Sequence, residues 1–284
     1  MTVFEAISDT EQQLQGIYDA AEAAAITDWL AEAMTHTRKT ERQLRQELEL
    51  SVAQAEQWEA AVARLLQHEP LQYVLNEAWF YGLKFYVDKN VLIPRPETEE
   101  LLDWIIENHS QSGPLHILDI GTGSGCIPIS LKKTLPQAQV RGIDISAAAL
   151  GIATRNATAL HADVDFSVID FLDTGSTASL PVFDIIVSNP PYIPQLHARD
   201  MDANVLRYEP ATALFVPDDD PIVFYKAIAH FGKEHLNSNG SIYLELYDVY
   251  HTEVNDFYTA LGYQTVILQD MQGKQRMLKA SLPS

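Results

Sequence analysis

The chain has 284 residues, 46% of them hydrophobic and 20% charged, a composition that gives a globular protein of one large or two ordinary domains. Acids outnumber bases 39 to 19, for a net charge of -20, which disfavours stable nucleic acid binding because gripping a phosphate backbone needs Lys and Arg to displace counterions. Cys126 is the only cysteine, which excludes an internal disulfide, and no apolar run approaches the roughly 20 residues that span a bilayer.

Met1-Thr2-Val3-Phe4-Glu5 has neither a basic n-region nor an apolar h-region, so a cytoplasmic protein without secretory leader or membrane association is expected. Residues 1 to about 77 read as a small helical bundle. Ser8 to Glu11 has capping-box spacing, and Leu14, Ile17, Tyr18, Ala21, Ala24 and Ala25 follow on one helical face. Trp29, Leu30 and Ala33 suggest a short helix, and Thr40 with Gln43 and Ser51 with Gln54 mark two more starts. No catalytic constellation appears there. The residues suit a structural cap and a docking module for a macromolecule equally well.

Trp79 to Val87 is aromatic and β-branched, Asp88-Lys89-Asn90 is a turn, and Val91-Leu92-Ile93 resumes the extended pattern, which predicts a β-hairpin linking two domains. Pro96, with acids after it, starts a helix whose buried face is Leu101, Leu102, Ile105 and Ile106. Arg95, between two prolines, is left without a role.

An α/β pattern follows. His116-Ile117-Leu118-Asp119-Ile120 is a strand, and Gly121-Thr122-Gly123-Ser124-Gly125 a tight turn into a helix around 127–131, where glycines allow backbone N–H groups close to a ligand. The spacing G-x-G-x-G departs from the G-x-G-x-x-G of dinucleotide sites. A second strand, 140–144, ends on Asp144, which can accept both hydrogens of a ribose diol. A third, 165–170, ends on Asp170, placed to take the exocyclic amine of adenine, with Phe171 to pack on the ring. Each acid alone is an ordinary strand-end residue. In order at successive strand ends, with Asp119 reaching in from the first, they describe an adenosine pocket.

Phe183-Asp184-Ile185-Ile186-Val187 is a buried parallel strand that two prolines stop abruptly in Ser188-Asn189-Pro190-Pro191-Tyr192. Asn189 therefore stands at a strand's carboxyl end, where open α/β sheets bind ligands. Its side-chain carbonyl and the neighbouring backbone carbonyls suit a substrate –NH2 whose two N–H bonds must be held, and Tyr192 offers a flat face to a planar substrate. The bland alternative is an Asn-Pro turn. Residues 193–220, with three prolines and Asp218-Asp219-Asp220, look irregular and suit a lid. A helix over 222–235, a turn at 237–240, a strand over 241–246, a helix over 254–261 and a terminal hairpin around Met271-Gln272-Gly273 complete the sheet.

The order Asp119 to Gly125, Asp144, Asp170 and Asn189-Pro190-Pro191-Tyr192 resembles a class I S-adenosylmethionine-dependent N-methyltransferase. Leu92 to Glu99, the aromatic hairpin and Arg207 to Leu214 narrow the resemblance to the peptide-chain release factor glutamine N5-methyltransferases, the HemK/PrmC family, over roughly residues 70 to 280. The resemblance implies a Rossmann-like α/β sheet with a C-terminal antiparallel hairpin, preceded by a substrate-docking helical domain (1–77) and a hairpin linker (78–95), with the methyltransferase domain over 96–284. It further implies that Gly121, Thr122, Gly123, Ser124 and Gly125 line the S-adenosylmethionine site, Asp144 holds the ribose and Phe171 flanks the adenine. Asn189 and Pro190 would bind the glutamine amide of a release factor, leaving S-adenosylhomocysteine as product. Two departures stand out: Asn76 where Gly is usual, and Leu246 to Tyr250 in place of a Gly-containing loop.

An amide nitrogen is a poor nucleophile, so the demands on such a site are positioning and preorganised acceptors rather than a strong base. No His or Lys is fixed beside the motif. No metal is expected, since the nine histidines show no ligand spacing. Two other classes fit parts of the pattern: an amino-methyltransferase of nucleic acid, which would need base flipping and a basic surface, and a non-catalytic cofactor-binding adaptor.

Overall fold

Thr2, not Ser8, starts the first helix. In the computed structural model, which describes residues 1–45 and 47–283, the Thr2 hydroxyl accepts from the Glu5 N–H at 3.2 Å. Glu5 Oε2 in turn accepts from the Thr2 N–H at 2.8 Å. Ser8 to Glu11 therefore falls inside α1 (Val3–Leu14), where Thr10 is buried and accepts from the Trp58 indole N–H. Of the predicted face beyond Leu14, Ile17 and Tyr18 lie in the turn after α1, while Ala21, Ala24 and Ala25 fall in a second helix, α2 (Ala20–Thr35), capped by Asp19. Its buried residues are instead Ala23, Thr27, Leu30 and Ala31, and it absorbs the short helix expected at Trp29. In α3 (Lys39–Leu44) the start moves from Thr40 to Arg38, whose N–H donates to Glu41 Oε2. α4 (Val52–Leu65) has the expected Ser51–Gln54 capping box, and α5 (Leu71–Leu75) ends on Asn76 at φ 54°. That left-handed position is one Gly and Asn tolerate best, which accounts for Asn where Gly was expected.

The chain divides into two compact units. One comprises Met1–Glu77 with Asp202–Tyr208, a segment carrying a short helix, Ala203–Tyr208. Its core is built on Leu14, Leu30, Trp58 and Leu65, and the Tyr208 hydroxyl donates to the Gln67 carbonyl at 2.8 Å. The other comprises Ala78–Met201 and Glu209–Ser284.

The second unit opens with β1 (Ala78–Phe80) and β2 (Leu83–Phe85), antiparallel with Phe80 opposite Leu83. Its turn is Tyr81-Gly82, not Asp88-Lys89-Asn90. Both turn residues have positive φ, 51° and 70°, the geometry whose twist matches the strands of a two-residue hairpin. Val91-Leu92-Ile93 forms no ladder, because the Ile93 N–H is taken by Glu209 Oε2 at 3.2 Å.

α6 (Pro96–His109), with Pro96 in its first turn, leads into the sheet strands β3 (His116–Ile120), β4 (Gln139–Asp144), β5 (Val164–Val168) and β6 (Phe183–Ser188). Between them run α7 (Cys126–Thr134), α8 (Ala147–Ala159) and the short α9 (Thr174–Thr177). β7 (Ile193–Pro194) pairs in parallel with β8 (Phe215–Val216), so the segment expected to be irregular carries its own small sheet, besides a 3-10 turn and two short helices, α10 (Ala203–Tyr208) and α11 (Ala211–Leu214). α12 (Val223–His235), β9 (Leu236–Glu245), α13 (His251–Ala260), β10 (Gln264–Gln269) and β11 (Gln275–Ser281) finish the chain.

The seven strands lie in the order β10-β11-β9-β6-β3-β4-β5; β9, β6, β3, β4 and β5 pair in parallel, and β11 is antiparallel to both β9 and β10. Both faces are covered, which is why β3 and β6 are mostly apolar, with Ile117, Leu118 and Ile120 in the one and Ile185, Ile186 and Val187 in the other. Leu118, Ile186 and Leu244 pack on α12 and α13 residues such as Ile228 and Tyr258. Ile117, Val187 and Tyr243 pack on the other side with Leu101, Ile105 and Leu131. The turn expected at 237–240 is a bulge inside β9: Leu236 pairs Phe183 and Ser241 pairs Ile185, and Asn237 Nδ2 donates to Asp184 Oδ1 at 2.6 Å. Among the described residues, no helix is long and apolar enough to cross a membrane.

Candidate active site

β3, β4 and β6 all end at one edge of the sheet, and a cavity of about 370 Å3 opens there. That is the size of a small-molecule site. Gly121, Gly123, Asp144, Asp170, Phe171, Asn189, Pro190 and Pro191 all line it. Asp119, Thr122, Ser124, Gly125 and Tyr192 do not.

The glycine turn is tied to β4. The Gly121 and Thr122 N–H groups both donate to the Ile143 carbonyl, at 2.9 and 3.0 Å. Gly125 caps α7 at φ 80°, and a Cβ there would come within 2.9 Å of Ile129 and 3.1 Å of Ala153, so the helix could not sit this close behind any larger residue. Asp144 accepts from the Gly123 N–H at 2.9 Å through Oδ2 and from the Ser146 N–H at 2.8 Å through Oδ1. Its carboxylate is thus fixed at the cavity wall with one lone pair of each oxygen uncommitted. Asp170 lies two residues beyond the end of β5 and accepts from the Leu172 N–H, while Phe171 lines the cavity and packs edge-to-face with Phe231, ring centroids 5.3 Å apart.

Asp119 pairs with Gly142 and Val187 in the sheet and is fully buried, and neither of its carboxylate oxygens has a hydrogen-bond partner among the described residues. Burial pushes its carboxyl up to about 7; the Thr122 hydroxyl, close but outside hydrogen-bond geometry, offsets part of the rise and the charge of Asp144 adds to it.

At the end of β6 the Asn189 amide is held from behind. Asn189 Nδ2 donates to Thr98 Oγ1 at 3.1 Å, and Thr98 Oγ1 donates to Glu245 Oε2 at 2.6 Å. The Tyr192 hydroxyl donates to Glu245 Oε1 at 3.2 Å, and its ring stacks on Tyr247 at 5.5 Å. Tyr192 therefore braces the motif instead of facing the cavity. Burial raises the Glu245 carboxyl, against the Thr98 hydrogen bond, the Arg276 charge and the Tyr192 hydrogen bond, which lower it. Burial and then the Glu245 charge raise the Tyr192 phenol.

Arg95, without a role in the sequence reading, pairs with Glu209, its Nη2 donating to Oε1 at 2.6 Å. Glu209 also accepts from the Ile93 N–H, so one buried carboxylate joins two strips of cavity wall, Asn90 to Leu92 and Pro210 to Pro217.

The Methyltransferase small domain family matches residues 98–211, and the PrmC N-terminal domain family matches residues 5–75. A release factor glutamine methyltransferase from Flavobacterium psychrophilum is 40% identical over 95% of this chain and 95% of its own. The chain belongs to the release factor glutamine methyltransferase family. A second relative of that name, from Bacteroides thetaiotaomicron, is 40% identical over 95% of this chain and 96% of its own. Among solved structures, the hMettl16 catalytic domain in complex with the MAT2A 3'UTR hairpin 6 aligns with a TM-score of 0.56 at 14% identity, covering 84% of each chain, which speaks for the fold alone.

For a release factor glutamine methyltransferase, Thr98 and Glu245 are the site residues that sequence reasoning missed. Thr98 lay inside the Leu92 to Glu99 stretch that carried the resemblance, but was given no role beyond a helix's first turn. Glu245, the acid that ends β9, carries the same signal that singled out Asp144, and burial at 2% exposure makes it the stronger case. The wall from Pro210 to Pro217 falls within the stretch that suited a lid and, to Leu214, within the motif that carried the resemblance, but its place beside Asn90 to Leu92 depends on the long-range contact of Glu209 with the Ile93 N–H.

Proposed function

We propose that this chain transfers a methyl group from S-adenosylmethionine to the side-chain amide nitrogen, N5, of a glutamine in a peptide-chain release factor, the glutamine of the GGQ motif in the family's substrates. The observation that carries the reading is the placement of Asn189 on the wall of the same cavity as Asp144 and Phe171, in a chain 40% identical to release factor glutamine methyltransferases. The residues present fit the cofactor: a fixed carboxylate for a diol, an aromatic face for a base, and Gly121 and Gly123, where a Cβ would meet nothing within 4 Å. Asp144 would hold the ribose, Phe171 and Asp170 the adenine, and the Gly121 to Gly125 turn the remainder, with Asp119 behind it.

S-adenosylmethionine, when bound, supplies a methyl group already activated on a positive sulfonium. The chain's own task is to present the nucleophile. Asn189 Oδ1 and the Pro190 carbonyl accept no hydrogen bond from other described residues, and they would take the two amide hydrogens of the glutamine. Holding both fixes where the nitrogen points, and the acceptors are in place before charge develops on it. As the carbon–sulfur bond breaks and the nitrogen gains the methyl group, the amide becomes protonated on nitrogen. That species is a very strong acid and gives one hydrogen to water as a proton, so no strong base is required beside it. The helical unit would dock the release factor, and the single cysteine and acidic surface fit a cytoplasmic modifier of a protein rather than of nucleic acid.

The test is incubation with methyl-labelled cofactor and either purified release factor or DNA, followed by mass mapping. Label on a release factor glutamine is expected. Label on DNA bases, with none on the factor, would overturn the substrate.

A further inference from the structure

Asn189 carries two chemically opposite atoms at nearly equivalent positions, and the proposed reaction uses only one. Turned by 180°, its amide would present Nδ2 to the substrate, setting N–H against the very hydrogens that the site has to hold. Burial decides the outcome. Thr98 and Glu245 are each only 2% exposed, so water does not compete for their hydrogen bonds. The Thr98 hydroxyl has a single hydrogen, and Glu245 Oε2 at 2.6 Å takes it. Glu245 is itself fixed, because the Tyr192 hydroxyl holds its other oxygen at 3.2 Å. Thr98 Oγ1 can therefore turn only a lone pair toward Asn189, and the atom 3.1 Å away has to be a donor. Nδ2 faces back into the protein, and Oδ1 is left for the cavity.

We propose that Thr98, anchored by Glu245, is a positioning residue that locks the Asn189 amide with its carbonyl oxygen toward the substrate, so that the site selects an –NH2 group over an oxygen acceptor. The inference rests on the reading of Asn189 as a hydrogen-bond acceptor for the substrate amide.

The experiment is a double-variant cycle read by single-turnover methyl transfer to purified release factor at saturating cofactor, with cofactor affinity measured in parallel. Thr98→Val keeps the shape and removes the hydroxyl. It should slow transfer about tenfold, the worth of one orienting hydrogen bond, while cofactor affinity stays within about twofold. Thr98→Ser should recover the rate to within about threefold of the parent. The deciding arm is Asn189→Asp, whose two oxygens are alike, so that no wrong orientation exists. In that background Thr98→Val should cost less than about twofold further. An equal loss in both backgrounds would make Thr98 merely structural and overturn the proposal, as would wild-type transfer by Thr98→Val. If the carboxylate stranded by Thr98→Val unfolds the protein, T98V/E245Q removes that charge and the same comparison is made with it. Wild-type transfer by Asn189→Ala is a separate result: it would sink the acceptor reading itself, whatever Thr98 does.

Discussion

Replacing Asp144 with Ala removes a carboxylate that the backbone holds ready. The Gly123 and Ser146 N–H groups each occupy one oxygen, at 2.9 and 2.8 Å, and the remaining lone pairs face the cavity where a ribose diol would lie. A charge-assisted hydrogen bond of this kind contributes about 1.5–3 kcal/mol. Two such contacts to one diol do not double that figure, because the freed hydroxyls regain water. The expected loss is about 10- to 150-fold in Kd, at about 1.4 kcal/mol per factor of ten. Asp144→Asn is the sharper variant. Both positions now filled by oxygen accept from backbone N–H groups, so an amide must set its own NH2 against one of them. Asn should therefore do no better than Ala, although it is the closer isostere. Titration calorimetry of the full chain with S-adenosylmethionine and with S-adenosylhomocysteine measures both variants, with thermal melts as a check on folding. Affinity within twofold of the parent in Asp144→Ala would remove Asp144 from the ribose role. An Asn variant binding more than tenfold tighter than Ala would contradict the backbone contacts.

Three further outcomes are expected. Arg95→Met strands the Glu209 carboxylate with only the Ile93 N–H; with the Arg95 side chain one-third exposed, the cost should be about 1–3 kcal/mol in denaturant unfolding, partly recovered in R95M/E209Q. Asp119 has a folded pKa raised from 3.8 to about 7, so its contribution to stability is full below pH 4 and is lost as pH rises through 7. Without cofactor, Asp119→Asn should thus raise Tm by a few degrees more at pH 8 than at pH 5, and a gain independent of pH would mean the carboxyl titrates normally. A chain truncated to begin at Asn76 should bind cofactor within about threefold of the parent, yet methylate the intact release factor at least about tenfold more slowly. A glutamine peptide should lose far less, and equal rates on the intact factor would reduce the helical unit to a cap.

What was legible in the sequence followed from local physics. Mostly apolar runs of five or six residues, followed by a Gly-rich turn after β3 and by two prolines after β6, made these central strands legible, because a parallel sheet covered on both faces leaves its sequence little freedom. The Asn189 turn could be read because two prolines after a strand leave few structural alternatives. Capping was less legible, since Ser8 to Glu11 and Thr2 to Glu5 have equal spacing and only the packing of Thr10 against Trp58 separates them. The hairpin turn was misplaced because Tyr81 adopts a positive φ that aromatic residues rarely show. What could not be read were partners distant in sequence. Thr98 and Glu245 are 147 positions apart and Arg95 and Glu209 114 apart, and neither pair has a spacing that a motif could carry.

The most direct test of the account is the single-turnover rate of Asn189→Ala with release factor and saturating S-adenosylmethionine. The strand before it and the glycine turn are untouched, so folding and cofactor affinity should be preserved. Transfer should fall by about 10²–10³, the usual loss when one preorganised hydrogen-bonding group is taken from a reacting centre. Asn189→Asp, which keeps an acceptor, should retain part of the activity. Methylation of glutamine by Asn189→Ala at the wild-type rate would contradict the account at its centre and leave Asn189-Pro190-Pro191-Tyr192 as no more than a turn.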